Sequence, residues 1–313
     1  MNTHKFRRHY PWITLLALVV LVGLAAPNFL RPENLVEIAG DVSTLFIMAL
    51  GITFVIYIGS IDLSAQSIAN MTTVLATLLL ARFGVFAAVI CIAVGALFGV
   101  VSGYVSTSLK VPSFIATLAV GGVALSVGQY VSGQRALYMD AALREQAFGW
   151  MTGTLGGVPR EMIIAAVLLI AALVVERRTV LGRALKAIGA GEPAAIASGL
   201  RVDRYKKIAF AISGGLAAVA GLMFAVKLSG GSPVIANGFL LPAVVAVLVG
   251  GTPLTGGVGG VLNTFIGTLI VAVVRASMLY LNIPATSQQI VFGLVLIVAI
   301  ALTIDRSKVR VVK

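Results

Sequence analysis

The residue types that usually carry chemistry are thinly scattered through this sequence. Its two histidines, His4 and His9, both lie in the polar N-terminus, and Cys91 is its one cysteine. A hydrolytic triad needs a base beside its nucleophile, and a His/Cys metal site needs three or four such ligands. Neither can be assembled from this inventory, and a disulfide within the chain is impossible. A phosphate-cradling loop sets glycine directly before its lysine, yet no lysine here follows a glycine. The apolar segments also lack the run of carboxylates that proton coupling uses. The chain therefore reads as a non-enzyme with no metal and no cofactor of its own, driven by a partner or a gradient.

What remains is polar groups suited to hydrogen bonding and backbone suited to bending. In Gly59-Ser60-Ile61-Asp62-Leu63-Ser64, Asp62 or Ser64 either caps the helix that follows by accepting from its free N–H groups or lines a polar path. Isolated polar residues recur in apolar surroundings at Asn70, Thr72, Thr73, Gln129, Asn263, Arg275, Gln288 and Gln289. Amides and hydroxyls suit a neutral, polyhydroxylated solute better than an ion, and they serve equally as interhelical hydrogen bonds. Asp62, Ser64, Asn70, Gln129, Asn263, Gln288 and Gln289 are the candidates for a translocation path or gate. Arg275 either snorkels toward the outer interface or faces a cavity. The run Gly250-Gly251-Thr252-Pro253-Leu254-Thr255-Gly256-Gly257-Val258-Gly259-Gly260 breaks any helix. Irregular backbone at membrane depth survives only where protein or water covers it, so Gly250, Gly251, Gly256 and Gly257 mark a hinge or an inner turn.

The elements that must position these residues are membrane helices. Of the 313 residues 59% are hydrophobic and only 11% charged, with a mean hydropathy of +1.05. Soluble domains carry roughly 25% charged residues, and no water-soluble fold hides this much apolar surface. A spanning helix needs about 20 apolar residues. The candidate spans are 11–29, 38–58, 65–81, 85–108, 113–132, 160–176, 208–228, 239–251, 257–281 and 288–304. Segments 65–81 and 239–251 are short or polar and either cross fully or form broken or re-entrant helices. The expected fold is all-α, a polytopic membrane protein of about ten transmembrane helices, some short or broken, in a single transmembrane domain over 1–313.

Charge sets the orientation. The net charge of +12 would suggest nucleic acid in a soluble chain; here its distribution fits the positive-inside bias. With the N-terminus inside, the inner segments hold Lys5, Arg7, Arg8, Lys110, the cluster from Arg177 to Lys207, and the tail from Arg306 to Lys313. The outer segments hold only Arg31, Arg82, Arg135, Arg144 and Arg160. Both termini are expected in the cytoplasm, with 133–159 outside and 177–207 inside. The N-terminal apolar run resembles a signal peptide in outline but reads as an uncleaved first span, since nine further runs follow. Gly95, Gly99 and Gly103 recur every four residues, a spacing that lets helix backbones approach closely.

Within the inner loop, Gly191-Glu192-Pro193-Ala194-Ala195-Ile196-Ala197-Ser198-Gly199 reads as a short helix. Pro193 suits its first turn, Glu192 the positive end of its dipole, and Gly199 a left-handed stop. At about 1.5 Å per residue it is only ~10 Å long, either an ordinary turn or a knob that docks into a cytoplasmic subunit.

At these motifs the chain resembles the permease subunit of bacterial ribose-type sugar ABC importers, in a superfamily that also holds branched-chain amino-acid permeases. The likeness runs along nearly the whole chain. It is carried by Gly51-Ile52-Thr53-Phe54-Val55 leading to Ile61-Asp62-Leu63-Ser64, and by Val111-Pro112-Ser113-Phe114-Ile115-Ala116-Thr117-Leu118. Gly182-Arg183 with Ala187-Ile188-Gly189, and Ser213-Gly214-Gly215-Leu216-Ala217, continue it. Gly250-Gly251-Thr252 with Gly256-Gly257-Val258-Gly259, then Gln288-Gln289, complete the series. The resemblance implies a bacterial inner-membrane subunit that works as a dimer, with itself or a sister permease. It would sit on a cytoplasmic ABC ATPase that binds the ATP, and receive solute from a periplasmic sugar-binding protein. The segment Glu192–Ser198 matches the family's coupling segment, and Ile-Asp-Leu-Ser favours sugars over branched-chain amino acids. The sequence departs from the family pattern at Ser60, Ala65-Gln66, Gly191 and Pro193. A gradient-driven secondary carrier, or an ABC permease for another small solute such as branched-chain amino acids or nucleosides, are the rival readings.

Overall fold

The computed structural model describes residues 10–303 of the chain. The basic termini that bear on orientation, Lys5, Arg7 and Arg8 and the tail from Arg306 to Lys313, lie outside the described residues. In chain order the helices are α1 (Tyr10–Ala25), α2 (Pro32–Tyr57), α3 (Ala65–Phe83), α4 (Phe86–Thr107) and α5 (Ser113–Ser132). They continue as α6 (Ala141–Phe148), α7 (Arg160–Arg178), α8 (Val180–Ala190), α9 (Glu192–Ala197), α10 (Val202–Lys227) and α11 (Leu240–Val249). The last two are α12 (Val261–Tyr280) and α13 (Ala285–Thr303). The only strands among the described residues are two-residue pairs: Leu137–Tyr138 with Gly230–Gly231, and Thr154–Leu155 with Val158–Pro159.

Each candidate span coincides with a helix. Among the described residues, α2, α4, α5, α10 and α12 are long and apolar enough to cross a membrane. Two helices start a turn or more before their apolar stretch: α2 begins at Pro32, where proline suits a first turn, and α10 begins at Val202, before Lys206 and Lys207. In the opposite direction, α12 starts only at Val261, because the glycines before it cannot hold a helix.

α2 and α10 form the centre. α2 is buried on every side from Val42 to Tyr57, enclosed by α7, α10, α11 and α12. α10 packs against α2, α3 and α4, α5 lies on α3 and α4, and α1 lies on α12. The polarity of the outer surface is the reverse of a soluble protein's. Leu16, Leu21 and Leu24 on α1, Leu97 on α4, Leu118 on α5 and Ile170 on α7 are all exposed. An uncovered apolar belt of this kind suits a lipid solvent.

The glycine stripe of α4 sets its contact with α10. A Cβ at Gly95 would stand 2.6 Å from the Gly214 carbonyl oxygen, and one at Gly103 2.8 Å from the Lys207 Cα. At Gly99 it would collide with the Phe210 carbonyl oxygen. α2, α7 and α10 are tied by Lys227, which reaches Asp41 at 2.8 Å and Glu161 at 3.7 Å.

Candidate functional site

Between α10 and α11 the chain is not helical, and it does not stay at the surface. It runs along α3, whose polar side chains take up the backbone groups that a helix would have satisfied internally. Thr73 Oγ1 accepts from the Ser232 N–H at 3.1 Å and donates to the Ser232 carbonyl oxygen at 2.9 Å. Asn70 Oδ1 accepts from the Ala236 N–H at 2.7 Å, while its Nδ2 donates to Asn237 Oδ1 at 2.8 Å. Gln66 Oε1 accepts from the Gly238 N–H at 3.1 Å. From the other side Gln289 Nε2 donates to the Gly238 carbonyl oxygen at 3.4 Å. α11 itself has 10 residues, about 15 Å at 1.5 Å per residue, half of a ~30 Å hydrocarbon core. The irregular stretch before it follows α3 from Thr73 back to Gln66. The segment 239–251 is thus the helical half of a broken element, and irregular backbone is tolerable there because α3 supplies the partners.

Asp62, just before α3, lies deep between the ends of the helices. Asp62 Oδ2 accepts from Ser213 Oγ at 2.6 Å, and Ser213 is eleven residues into α10, or about 16 Å along it. Asp62 Oδ1 accepts from the Ser64 N–H at 2.8 Å and from Ser64 Oγ at 2.5 Å. Asp62 and Ser64 are both 0% exposed. Ser64 therefore donates where the sequence suggested it might accept, and its side chain does not cap α3. Burial leaves a carboxylate tolerable only when hydrogen bonds replace water; here three do so. Neither residue faces open space in this conformation.

Asn70→Leu tests the scaffold around the break. Asn70 is 1% exposed and Ala236 0%, so the variant would strand a buried N–H at a cost of about 1–3 kcal/mol. A lower melting temperature in detergent is expected, with faster proteolytic nicking between Gly230 and Phe239. Unchanged melting and nicking would show that α3 does not hold the segment.

At the opposite end of α11 the glycine-rich run meets the loop 177–207. Gly251, Gly256, Gly257 and Gly259 have φ of +97°, +76°, +77° and +108°, a backbone region favouring glycine. Gly250 caps α11 with φ −63°, and its lack of a side chain lets the Asn263 carbonyl approach. The Gly257 N–H donates to the Tyr57 carbonyl oxygen at 3.0 Å. Gly189 of α8 is wedged against both Tyr57 and Gly257, leaving no room for a Cβ. Glu176, at the end of α7, joins the pieces: Lys186 of α8 donates to its Oε1 at 2.5 Å, and the Val261 N–H donates to its Oε2 at 3.0 Å. Lys186 also donates to the Gly259 carbonyl oxygen at 3.0 Å. A negative side chain at the first turn of α12 satisfies a free N–H and favours the helix dipole. α2, α7, α8 and α12 thus converge on one knot.

α9 projects from this knot. Its Ala195 is buried, whereas Pro193, Ala194, Ile196, Ala197, Ser198 and Gly199 are exposed, Ile196 by 58%. Gly199, with φ +80°, ends it as expected. Lys206 at the start of α10 donates to both oxygens of Glu192, at 2.8 and 2.7 Å. The tip is small, apolar and uncovered, and its base is fixed to the longest buried helices. Arg177, Arg178, Arg183, Arg201 and Arg204 are exposed on the elements that flank it.

A family described as branched-chain amino acid transport system / permease component matches residues 34–300. The chain belongs to that family. The ribose import permease protein RbsC of Haemophilus influenzae is 32% identical over 292 residues, covering 92% of this chain and 90% of the relative. Its namesake in Escherichia coli is 33% identical over 291 residues, covering 92% and 91%. The xylose transport system permease protein XylH of Haemophilus influenzae is 28% identical over 362 residues, covering 95% and 96%. The resemblance carried by the sequence motifs is borne out.

The other candidate residues of this permease are dispersed. Asn263 stands in the first turn of α12 beside the Gly250-Gly251 turn, and Gln288 borders a cavity between α2 and α12. Gln129, half-buried on α5, hydrogen-bonds to none of the others among the described residues. Gln66, Asn237, Glu176 and Lys186 were not singled out in the sequence. Glu176 carried one signal, a carboxylate that closes the apolar run 162–175, masked by the arginines after it.

Proposed function

We propose that this permease-family chain is the transmembrane subunit of an ATP-driven sugar importer, forming the path across the bacterial inner membrane. In this reading about ten segments cross the bilayer, both termini are cytoplasmic, and residues 177–207 face a cytoplasmic ABC ATPase. A second permease copy or paralogue completes the path, and a periplasmic sugar-binding protein delivers the solute. ATP is bound by the partner subunit, and this chain is not an enzyme. The observation that carries the proposal is α9: an exposed apolar tip whose base is clamped, through Glu192 and Lys206, to the start of α10. A driven element needs a free surface for its motor and a stiff attachment to what it moves. The broken element before α11, with uncharged amides along it, supports passage of a neutral solute. The ribose and xylose permeases among the relatives support a sugar.

Glu192→Arg is expected to weaken co-purification with the ATPase while membrane insertion is kept. The change also breaks the ion pair with Lys206, so Ile196→Asp provides a second arm. It alters only the exposed tip and should reduce both co-purification and ATP-driven uptake at least tenfold. Undiminished co-purification in both variants would overturn the coupling role. Uptake by the chain alone in vesicles, with a gradient and no ATPase, would establish the carrier reading instead.

A further inference from the structure

Far from α9, between the first turns of α2 and the last turns of α12, lies a cavity of about 340 Å³. That volume falls at the small end of small-molecule sites, which run from about 300 to 1,000 Å³. Its polar lining is Asn34, Glu37 and Asp41 from α2, Arg275 and Tyr280 from α12, and Gln288 from α13. Its floor is apolar, with Val42, Leu45 and Ala272. The cavity and α9 sit at opposite ends of α10, since Asp41 pairs with Lys227 at its last residue and Glu192 with Lys206 near its first. The 21 residues from Lys206 to Lys227 separate the two by about 32 Å, close to the thickness of a hydrocarbon core.

Arg275 is the telling member. It is half-buried, and its guanidinium carries five N–H donors. Among the described residues it enters no hydrogen bond and no salt bridge. It stacks instead on the ring of Phe239, 4.2 Å from the guanidinium carbon to the ring centre. Stacking fixes the plane of the guanidinium and leaves its edge free. Half-buried guanidinium donors are costly unless water or a ligand meets them, and Arg275 lines the cavity where either could do so. Two carboxylates share the space, and Lys227 already pairs with Asp41 at 2.8 Å. Donors and acceptors are therefore mixed around a site with little net charge and an apolar floor. That pattern matches a molecule that presents hydroxyls around an apolar ring.

We propose that this cavity is a sugar site within the permease itself, in which Arg275 and Gln288 donate to, and Glu37 and Asp41 accept from, the hydroxyls of a neutral monosaccharide. The proposal rests on the importer reading and assigns that reading a solute contact. Phe239 is the last residue before α11. A solute that draws on Arg275 thereby touches the end of the broken element, and occupancy is coupled to the segment held by Asn70 and Gln66.

The test uses the full-length chain in lipid nanodiscs, without binding protein or ATPase, and equilibrium dialysis of radiolabelled D-ribose and D-xylose. Saturable binding is expected, each sugar displacing the other and L-leucine displacing neither. Arg275→Met should weaken binding at least tenfold, and Gln288→Ala several-fold, with melting temperature and gel-filtration profile unchanged for Gln288→Ala. No saturable binding of either sugar, equal binding by both variants and wild type, or displacement by L-leucine would each overturn the site. Uptake by the assembled transporter is measured in parallel. ATP-driven sugar uptake that Arg275→Met leaves intact removes the site and spares the importer reading, whereas absence of ATP-driven sugar uptake removes that reading itself.

Discussion

Gly99→Val is expected to yield no correctly assembled protein. The backbones of α4 and α10 meet where Gly95, Gly99 and Gly103 face Phe210, Gly214 and Lys207. A side chain at Gly99 runs into the Phe210 carbonyl, and the reciprocal position, Gly214, is blocked by the Gly95 carbonyl. The obstruction is backbone on both sides, so no rotamer change relieves it. Overpacking a core usually costs about 1–3 kcal/mol because side chains adjust; here a whole helix must move. α10 also carries Ser213, which holds Asp62, and Lys206, which holds Glu192. Displacing it disturbs both the buried carboxylate and the base of α9. The measurement is recovery of a monodisperse species after detergent extraction, with Gly122→Val as a control, since a Cβ there meets nothing within 4 Å. Wild-type recovery of Gly99→Val would show that the close approach of α4 is dispensable.

Glu176→Ala is expected to separate what the inner knot joins. The carboxylate is 8% exposed and holds Lys186 with one oxygen and the first turn of α12 with the other. Breaking a buried ion pair costs about 3–5 kcal/mol. The Lys186 side chain is 30% exposed, so water softens its loss, and about 2–3 kcal/mol is the expected destabilisation. The functional effect should be larger than the thermal one. α7 would lose its link to α8 and to the first turn of α12, and α8 would reach α12 only through the contacts of Lys186 and Gly189 with the glycine turn, so motion at the tip would be passed to that part of the core less firmly. Uptake should fall at least tenfold while the ATPase subunit still co-purifies. Glu176→Gln retains an acceptor for the Val261 N–H and should fall between the two. Normal uptake by Glu176→Ala would remove this connection from the coupling route.

These two residues also show where the sequence was informative. The α4 stripe was legible because small residues at a spacing of four lie on one helix face, a property of a single segment. Its partner was not, since nothing in Gly95-x-x-x-Gly99-x-x-x-Gly103 points to Phe210 or Gly214. The position of α9, its proline start and its glycine stop were likewise local. By contrast Asp62 and Asn70 were open between a path role and an internal hydrogen bond. That choice depends on Ser213, Ala236 and Asn237, more than a hundred residues away along the chain.

By itself the sequence determined that this protein belongs in lipid, which segments are helical, where along the chain the basic loop falls and which family the motifs match. Hydropathy, glycine content and charge add up residue by residue along the chain, so no partner need be known. The tertiary structure alone decided that the chain before α11 is unwound along α3, that Glu176 ties α7 to α8 and α12, and that Arg275 opens onto a cavity. Each of those is a matter of which donor meets which acceptor, and at membrane depth an unmet polar group is too costly to leave to chance.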